Sequence, residues 1–144
     1  MSPTTVLSFQ HLETFKKRFS GWPFEIRALN RFVTAADSKK TLADLKLGKV
    51  DILIGTNRLF SKDVVFKDLG LLIIDEEQKF GVAHKEKIRQ LKNNVDTMAM
   101  SATPIPRTLN LSLMGIRDLS IINTAPVDRL PTRTFISKWD GETI

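Results

Sequence analysis

Three short stretches place polar residues directly after apolar runs that suit buried strands. Asp75 and Glu76 follow "LLII", Gly55 and Thr56 follow "ILI", and Ser101 follows "DTMAM". In open sheets with parallel strands, ligands collect beyond the carboxyl ends of the strands. A carboxylate at such a point can hold hydrated Mg²⁺ on nucleotide phosphates, and a neighbouring carboxylate can orient or deprotonate the attacking water. Asp75 and Glu76 suit these two roles.

The remaining polar residues at these points suit contacts with phosphates and with the acidic turn. Small residues at helix starts let backbone N–H groups approach a nucleic-acid phosphate closely, without reading its sequence. The residues of this kind are Thr4, Thr5, Gly55 and Thr56. Ser101 and Thr103 are placed to hydrogen-bond the acidic turn from the neighbouring strand end, which would couple a change in the nucleotide to the rest of the domain.

Each position also has a purely structural interpretation. Asp75 followed by Gln78 has the form of a capping box, and acidic residues are favoured in a first helical turn. Thr103 before a proline suits a helix N-cap, as does Thr56. Taken singly, capping explains Asp75 as well as chemistry does, and explains the two threonines better. Only the chemical interpretation accounts for all of these residues together.

Length and composition are those of one basic globular domain. The 144 residues are 42% hydrophobic and carry 22 Lys and Arg against 16 acidic residues, a net charge of +6 that suits a polyanion such as nucleic acid. The basic runs themselves are typical of solvated helix faces. The absence of cysteine excludes disulfides and thiolate metal sites. No apolar run approaches the roughly 20 residues of a membrane span, so we expect a cytoplasmic protein.

The hydrophobic pattern alternates between helices and strands. Helices are expected at 5–19, 38–48, 84–94 and 105–115, strands at 24–29, 50–55, 69–75, 96–101 and 119–123, and a short helical turn within 57–69. The apolar strand ending at Ile74 is typical of parallel sheets covered on both faces. The predicted fold class is α/β, with a mostly parallel sheet flanked by helices. The first helix carries an apolar stripe at Val6, Phe9, Leu12, Phe15 and Phe19.

Four segments in order carry a resemblance to a known family. "PTTVLSFQH", "ILIGTNRLF", "LLIIDEEQKFGV" and "SATPIPRTL" resemble motifs Ia, Ib, II and III of superfamily 2 DNA helicases. The surrounding sequence is most similar to the transcription-repair coupling factors, with the RecG-type helicases next, from Pro3 to about Phe135. The resemblance implies part of the first RecA-like lobe of a motor that uses ATP and Mg²⁺ to translocate on double-stranded DNA and displace stalled RNA polymerase.

The resemblance also implies residue roles. Asp75 is the carboxylate that holds Mg²⁺ through water, and Glu76 is the catalytic one. Coupling of hydrolysis to movement falls to Gln78, Ser101, Ala102, Thr103 and Arg107. DNA contacts fall to Pro3, Thr4, Thr5, Gly55, Thr56 and Arg58. At the position of Gln78 the family usually has histidine; glutamine donates and accepts hydrogen bonds but cannot become charged.

One family feature is missing from the sequence. No glycine belongs to a G-x-x-x-x-G-K-[ST] phosphate loop, and the second motor lobe is absent. We therefore expect an incomplete lobe at 1–122 that lacks the phosphate-loop unit, followed by a linker at 123–144 toward the second lobe. Alone, the chain is expected to bind no cofactor, to hydrolyse no ATP, and to self-associate through an unpaired sheet. RNA polymerase contacts would belong to other domains.

Two alternatives remain from the sequence. One is the first motor lobe of a RecG-type branch-migration helicase, and the other is a non-catalytic DNA-binding or interaction module that kept the fold. A metal site built on the two histidines is disfavoured, because His11 and His84 are far apart in sequence. We assign them to surface or helix-packing roles.

Overall fold

The computed structural model describes residues 1–81, 84, 86–88, 95–102, 118–124, 134 and 136. The chain forms two compact units, Met1–Ile105 and Pro106–Ile144. All helices and strands reported below belong to the first unit. Among the residues described, no helix is long and apolar enough to span a bilayer.

The first unit alternates helices and strands, which confirms the predicted α/β class. Its elements are α1 (Thr5–Arg18), β1 (Ile26–Leu29), α2 (Ala35–Lys46), β2 (Ile52–Gly55), β3 (Leu71–Asp75) and β4 (Asp96–Met100), with 3₁₀ turns at Asn57–Phe60 and Glu77–Lys79. His84 and residues 86–88 are helical, as expected for the helix at 84–94. The helix expected at 105–115 lies outside the described residues.

The strands form two parallel pairs. β1 pairs with β2 in a register that ends at Leu29 and Gly55. β3 pairs with β4 in a register that ends at Asp75 and Met100. The polar turns that follow β2, β3 and β4 therefore leave the carboxyl ends of parallel strands, where the sequence pattern requires them.

Met1 and Ser2 join the two pairs and form what we call the seam. The Met1 amine donates to the Ile73 carbonyl at 2.5 Å. The amide of Asp75 donates to the Met1 carbonyl at 2.9 Å, and the amide of Ser2 donates to the Gly55 carbonyl at 3.0 Å. The seam thus brings the end of β2 and the end of β3 to one rim of the sheet.

Among the residues that the structure describes, a buried apolar cluster includes Ile74, next to the end of β3. Ile74, Phe80 and Ile88 form a buried cluster against which Met1 and Phe60 pack. Separately, α1 packs on β1 and β2, and α2 packs on β1.

Two expectations about apolar residues are wrong. In the first helix two of the five stripe residues are exposed, Val6 at 59% and Phe9 at 50%, and the other three are half-buried, whereas Ser8 is fully buried. The cause is a hydrogen bond from the side-chain amide of Asn30 to Ser8 Oγ at 3.2 Å, which turns the small serine toward the sheet. Residues 119–123 form no strand, and Ile122 is 91% exposed.

Candidate functional site

The acidic turn begins where β3 ends. Glu76 adopts φ 53° and ψ 50°, in the left-handed region that residues other than glycine rarely occupy. Its backbone N–H donates to the Met100 carbonyl at 2.9 Å, which ties the end of β3 to the end of β4. A backbone held in this way costs about 1–3 kcal/mol and is often found at functional sites.

Asp75 lies at the rim beside α1. Its side chain is 19% exposed, and Oδ2 lies 2.9 Å from Nε2 of His11. Oδ1 has no hydrogen-bond partner among the described residues. Burial lowers the pKa of the nearby Met1 amine, and the negative charge of Asp75 opposes that shift. Asp75 therefore keeps one oxygen available at the rim.

Glu76 faces the loop that follows β4. Its side chain, 14% exposed, accepts hydrogen bonds from the amide group of Gln78 and, at 3.3 Å, from the backbone N–H of Ala102. Lys79 Nζ lies 3.6 Å from Oε2 of the same carboxylate. Two of the predicted coupling residues therefore contact Glu76 in the structure, Gln78 from within the turn and Ala102 from the loop after β4. Neither acidic side chain is in a core ion pair, since the partners His11 and Lys79 are 33% and 58% exposed.

Capping does not explain the acidic turn or the turn after β2. Glu76, not Asp75, precedes the 3₁₀ turn at Glu77–Lys79, and it makes no side-chain capping bond. Thr56 precedes the other 3₁₀ turn and makes no such bond either. Thr103 and Arg107 lie outside the described residues, so their assigned roles remain predictions, while Ser101 is exposed at the end of β4.

A basic cleft of about 660 Å³ opens beside the rim. Its lining, as far as the described residues form it, has three cationic side chains and no acidic one. The lining residues are Thr5, Asn30, Arg31, Thr56, Asn57, Arg58, Phe60, Ser61, His84 and Lys87. Cationic groups with hydroxyl and amide donors are the usual partners of nucleic-acid phosphates.

The structure brings together three of the residues predicted to contact DNA, namely Thr5, Thr56 and Arg58, in this cleft. Thr4 stands at the start of α1, where its side chain accepts from the Leu7 amide at 3.3 Å, and Pro3 precedes it. Gly55 is buried, and a Cβ there would lie 2.5 Å from the Leu29 carbonyl oxygen. Close strand packing therefore accounts for this glycine.

Arg58 is held by Asp63 in the present structure. Two of its nitrogens, Nη1 and Nη2, donate to the two carboxylate oxygens at 2.8 and 2.6 Å. This ion pair raises the pKa of Arg58 and lowers that of Asp63. Because both side chains are at least one-third exposed, a phosphate can compete with Asp63 for the guanidinium.

Three residues at the site are not among the site residues predicted from the sequence. His11 lies on α1 with its side chain 33% exposed, and its contact with Asp75 was not predicted, because the two are 64 positions apart and the docking of α1 brings them together. Asn30 lines the cleft and follows β1 directly, so the strand-end rule that located Thr56 also points to it. Lys87 lies in a basic run that is indistinguishable from a solvated helix face in the sequence.

The parallel strands carry an Asp-Glu pair at one strand end, and the loop after the neighbouring strand contacts that pair. A basic cleft lies beside it. These features define the class of protein: this is a RecA-like lobe of helicase type. Residues 1–111 match the family described as DEAD/DEAH box helicase, and the chain belongs to that family.

Relatives within this class agree with the predicted resemblance. The chain is 58% identical over 139 residues to the transcription-repair-coupling factor of Bacillus subtilis and 52% identical over 139 residues to that of Escherichia coli. Each match covers 96% of this chain but 12% of the relative. A structure of RecG bound to a three-way DNA junction superimposes with a TM-score of 0.67 at 37% identity, covering 90% of this chain and 17% of RecG.

Proposed function

We propose that this chain is part of the first motor lobe of an ATP-dependent translocase on double-stranded DNA, of the type that displaces stalled RNA polymerase in transcription-coupled repair. The observation that carries the proposal is the contact between strand ends: Ala102 N–H to Glu76 Oε1 at 3.3 Å and Glu76 N–H to the Met100 carbonyl at 2.9 Å. These contacts support the proposal because they join Glu76, in the segment that resembles motif II, to the end of β4 and the loop after it, which resembles motif III.

The donor set fits Mg²⁺ with ATP. Asp75 offers a free carboxylate oxygen at the rim, and the described residues contain no group of three metal-ligating side chains. Mg²⁺ keeps several waters and binds proteins through one or two carboxylates together with substrate phosphates. When bound, the ion neutralises the charge that develops on the transferred phosphoryl group. In our proposal Asp75 holds the ion through water.

Glu76 is assigned to orienting and deprotonating the attacking water. Gln78 donates a hydrogen bond to the Glu76 carboxylate and thereby fixes the orientation of that carboxylate. Ala102 contacts the same carboxylate, so a movement of Glu76 is transmitted to the loop after β4. Ser101, Thr103 and Arg107 are proposed to extend that connection.

The basic cleft is proposed to hold one strand of a DNA duplex by its phosphates. In the first turn of α1 the Leu7 amide is capped by Thr4, whereas the amides of Thr5 and Val6 precede the first intrahelical hydrogen bond and remain for a phosphate. Arg58 and Lys87 line the same cleft and supply positive charge. The contacts would be independent of sequence, as a translocase requires. RNA polymerase would be engaged by other domains of a longer parent protein, and residues 123–144 would lead to its second lobe.

A chimera tests the catalytic assignment. This chain would replace the matching 139 residues of the Bacillus subtilis transcription-repair-coupling factor, to which it is 58% identical. The chimera is expected to hydrolyse ATP in the presence of DNA. Glu76→Gln should bind nucleotide while losing about 10²–10⁴-fold in hydrolysis rate, the usual contribution of a positioned base.

Glu77→Gln is the matched control, because it removes the adjacent carboxylate without touching the assigned pair. Its hydrolysis rate should stay within a few-fold of the unmodified chimera. Normal hydrolysis in the Glu76→Gln chimera would refute the role of Glu76. The 144-residue chain alone should show no turnover, since its sequence has no phosphate loop; measurable turnover would contradict that part of the proposal.

The similarity to RecG supports a second candidate, a branch-migration motor. Competition between a linear duplex and a three-way junction of equal length separates the two candidates. An unchanged preference for the linear duplex in the chimera supports the coupling-factor type, and a gain in preference for the junction supports the RecG type. If the chain binds DNA but the chimera hydrolyses no ATP, a non-catalytic binding module is the better explanation.

Self-association is proposed for the isolated chain. Several apolar side chains of β3 and β4 are exposed, including Leu71 at 54%, Met98 at 47% and Met100 at 39%. Within the part of the chain that the structure describes, the seam leaves most backbone groups between β2 and β3 without a strand neighbour, and such edges pair with other chains. Sedimentation equilibrium at rising concentration should reveal dimers or larger species, and a monomer throughout would exclude the proposal.

A further inference from the structure

His11 is the one described residue that holds the Asp75 carboxylate through a side chain. Its Nε2 lies 2.9 Å from Oδ2, across 64 positions of sequence. We infer that His11 is a positioning residue for Asp75, which fixes the orientation of that carboxylate for the cation. This inference rests on the proposed function, in which Asp75 is the Mg²⁺ carboxylate.

The chemistry of the pair supports this role. An ionised carboxylate only accepts hydrogen bonds, so Nε2 must carry the proton and donate it to Oδ2. With Oδ2 engaged, Oδ1 of Asp75 is the oxygen that remains for a metal-bound water. A carboxylate without such a partner rotates between its rotamers. Partners that orient a metal-binding group typically contribute about 10–100-fold to metal affinity or activity.

The contact depends on a firmly docked helix. Ser8, one turn before His11, is fully buried and accepts from the side chain of Asn30 at 3.2 Å. At the start of the same helix, Thr4 caps the Leu7 amide. α1 therefore presents its first turn toward the basic cleft and its second turn to Asp75. One rigid element contacts both parts of the proposed site.

Two substitutions separate positioning from packing. His11→Gln places an amide nitrogen close to the position of Nε2 and keeps the donor, whereas His11→Leu has a similar volume and no donor. In the chimera with the Bacillus subtilis protein, His11→Leu should raise the Mg²⁺ concentration needed for half-maximal hydrolysis by about 10–100-fold. His11→Gln should recover most of that loss. Equal impairment in both variants, or no change in His11→Leu, would overturn the inference.

A second readout on the 144-residue chain needs no catalysis. In a ¹⁵N spectrum of the His11 ring, the proton should sit on Nε2, and Asp75→Asn should shift that signal. If the chimera is inactive but this signal behaves as stated, the proposed motor fails while the positioning contact stands. If the signal is insensitive to the substitution, the contact itself is refuted.

Discussion

Replacing Gly55 with alanine should destabilise the fold through a clash that has little room to relax. Gly55 is the register partner of Leu29, and an added Cβ would lie 2.5 Å from the Leu29 carbonyl oxygen and 2.8 Å from Leu59 Cδ2. A leucine methyl can move aside, but the carbonyl belongs to the backbone of β1. Overpacking typically costs about 1–3 kcal/mol, and a backbone contact points to the upper end, about 3 kcal/mol.

Urea denaturation followed by circular dichroism measures this loss. With a slope of about 1–2 kcal/mol per molar urea, the midpoint should fall by about 1.5–3 M. Gly70→Ala is the matched control, because no atom lies within 4 Å of the position that its added methyl group would take. That change should be neutral or stabilise by up to about 1 kcal/mol. If Gly55→Ala unfolds at the same urea concentration as Gly70→Ala, the close approach of β1 and β2 is wrong.

Three further predictions concern the core, a helix cap and the basic cleft. Ile74→Ala removes a fully buried side chain and should lower the free energy of unfolding by about 2–5 kcal/mol, measured by the same urea titration; a loss below about 1 kcal/mol would argue against this core. Thr34→Ala removes the oxygen that accepts from the Asp37 amide at 3.1 Å and should cost about 1 kcal/mol, whereas Thr34→Ser should restore it. Asp63→Asn should tighten DNA binding in fluorescence anisotropy and steepen the salt dependence by about one phosphate contact, because it releases Arg58. The increase in DNA affinity should vanish in the double variant that also carries Arg58→Ala. An increase that persists there would show that Asp63→Asn acts only through the net charge.

The fold was predictable where short-range pattern decides it. Alternation of helix and strand, the parallel sheet and the acidic turn after Ile74 all follow from local hydrophobic periodicity and from the strand-end rule. The rule located Thr56 and Asp75 because both follow apolar strands directly. Both positions indeed lie at strand ends beside the seam.

Long-range contacts account for what the sequence left open. His11 reaches Asp75 only because the buried Ser8 docks α1 against Asn30. The spacing of apolar residues does not reveal a polar contact of this kind. The stripe also places Val6 on the packed face of the helix, where it does not lie. Likewise the conformation of Glu76 is set by its bond to the Met100 carbonyl, which belongs to another strand.

The seam has a practical consequence for handling the protein. The Met1 amine is directed into the sheet, where it donates to Ile73 between the ends of β2 and β3. Residues added ahead of it would have to run along the groove between these strands rather than into solvent. An affinity tag fused to the amino end would therefore compete with native sheet packing, and purification should rely on a tag placed at the opposite terminus.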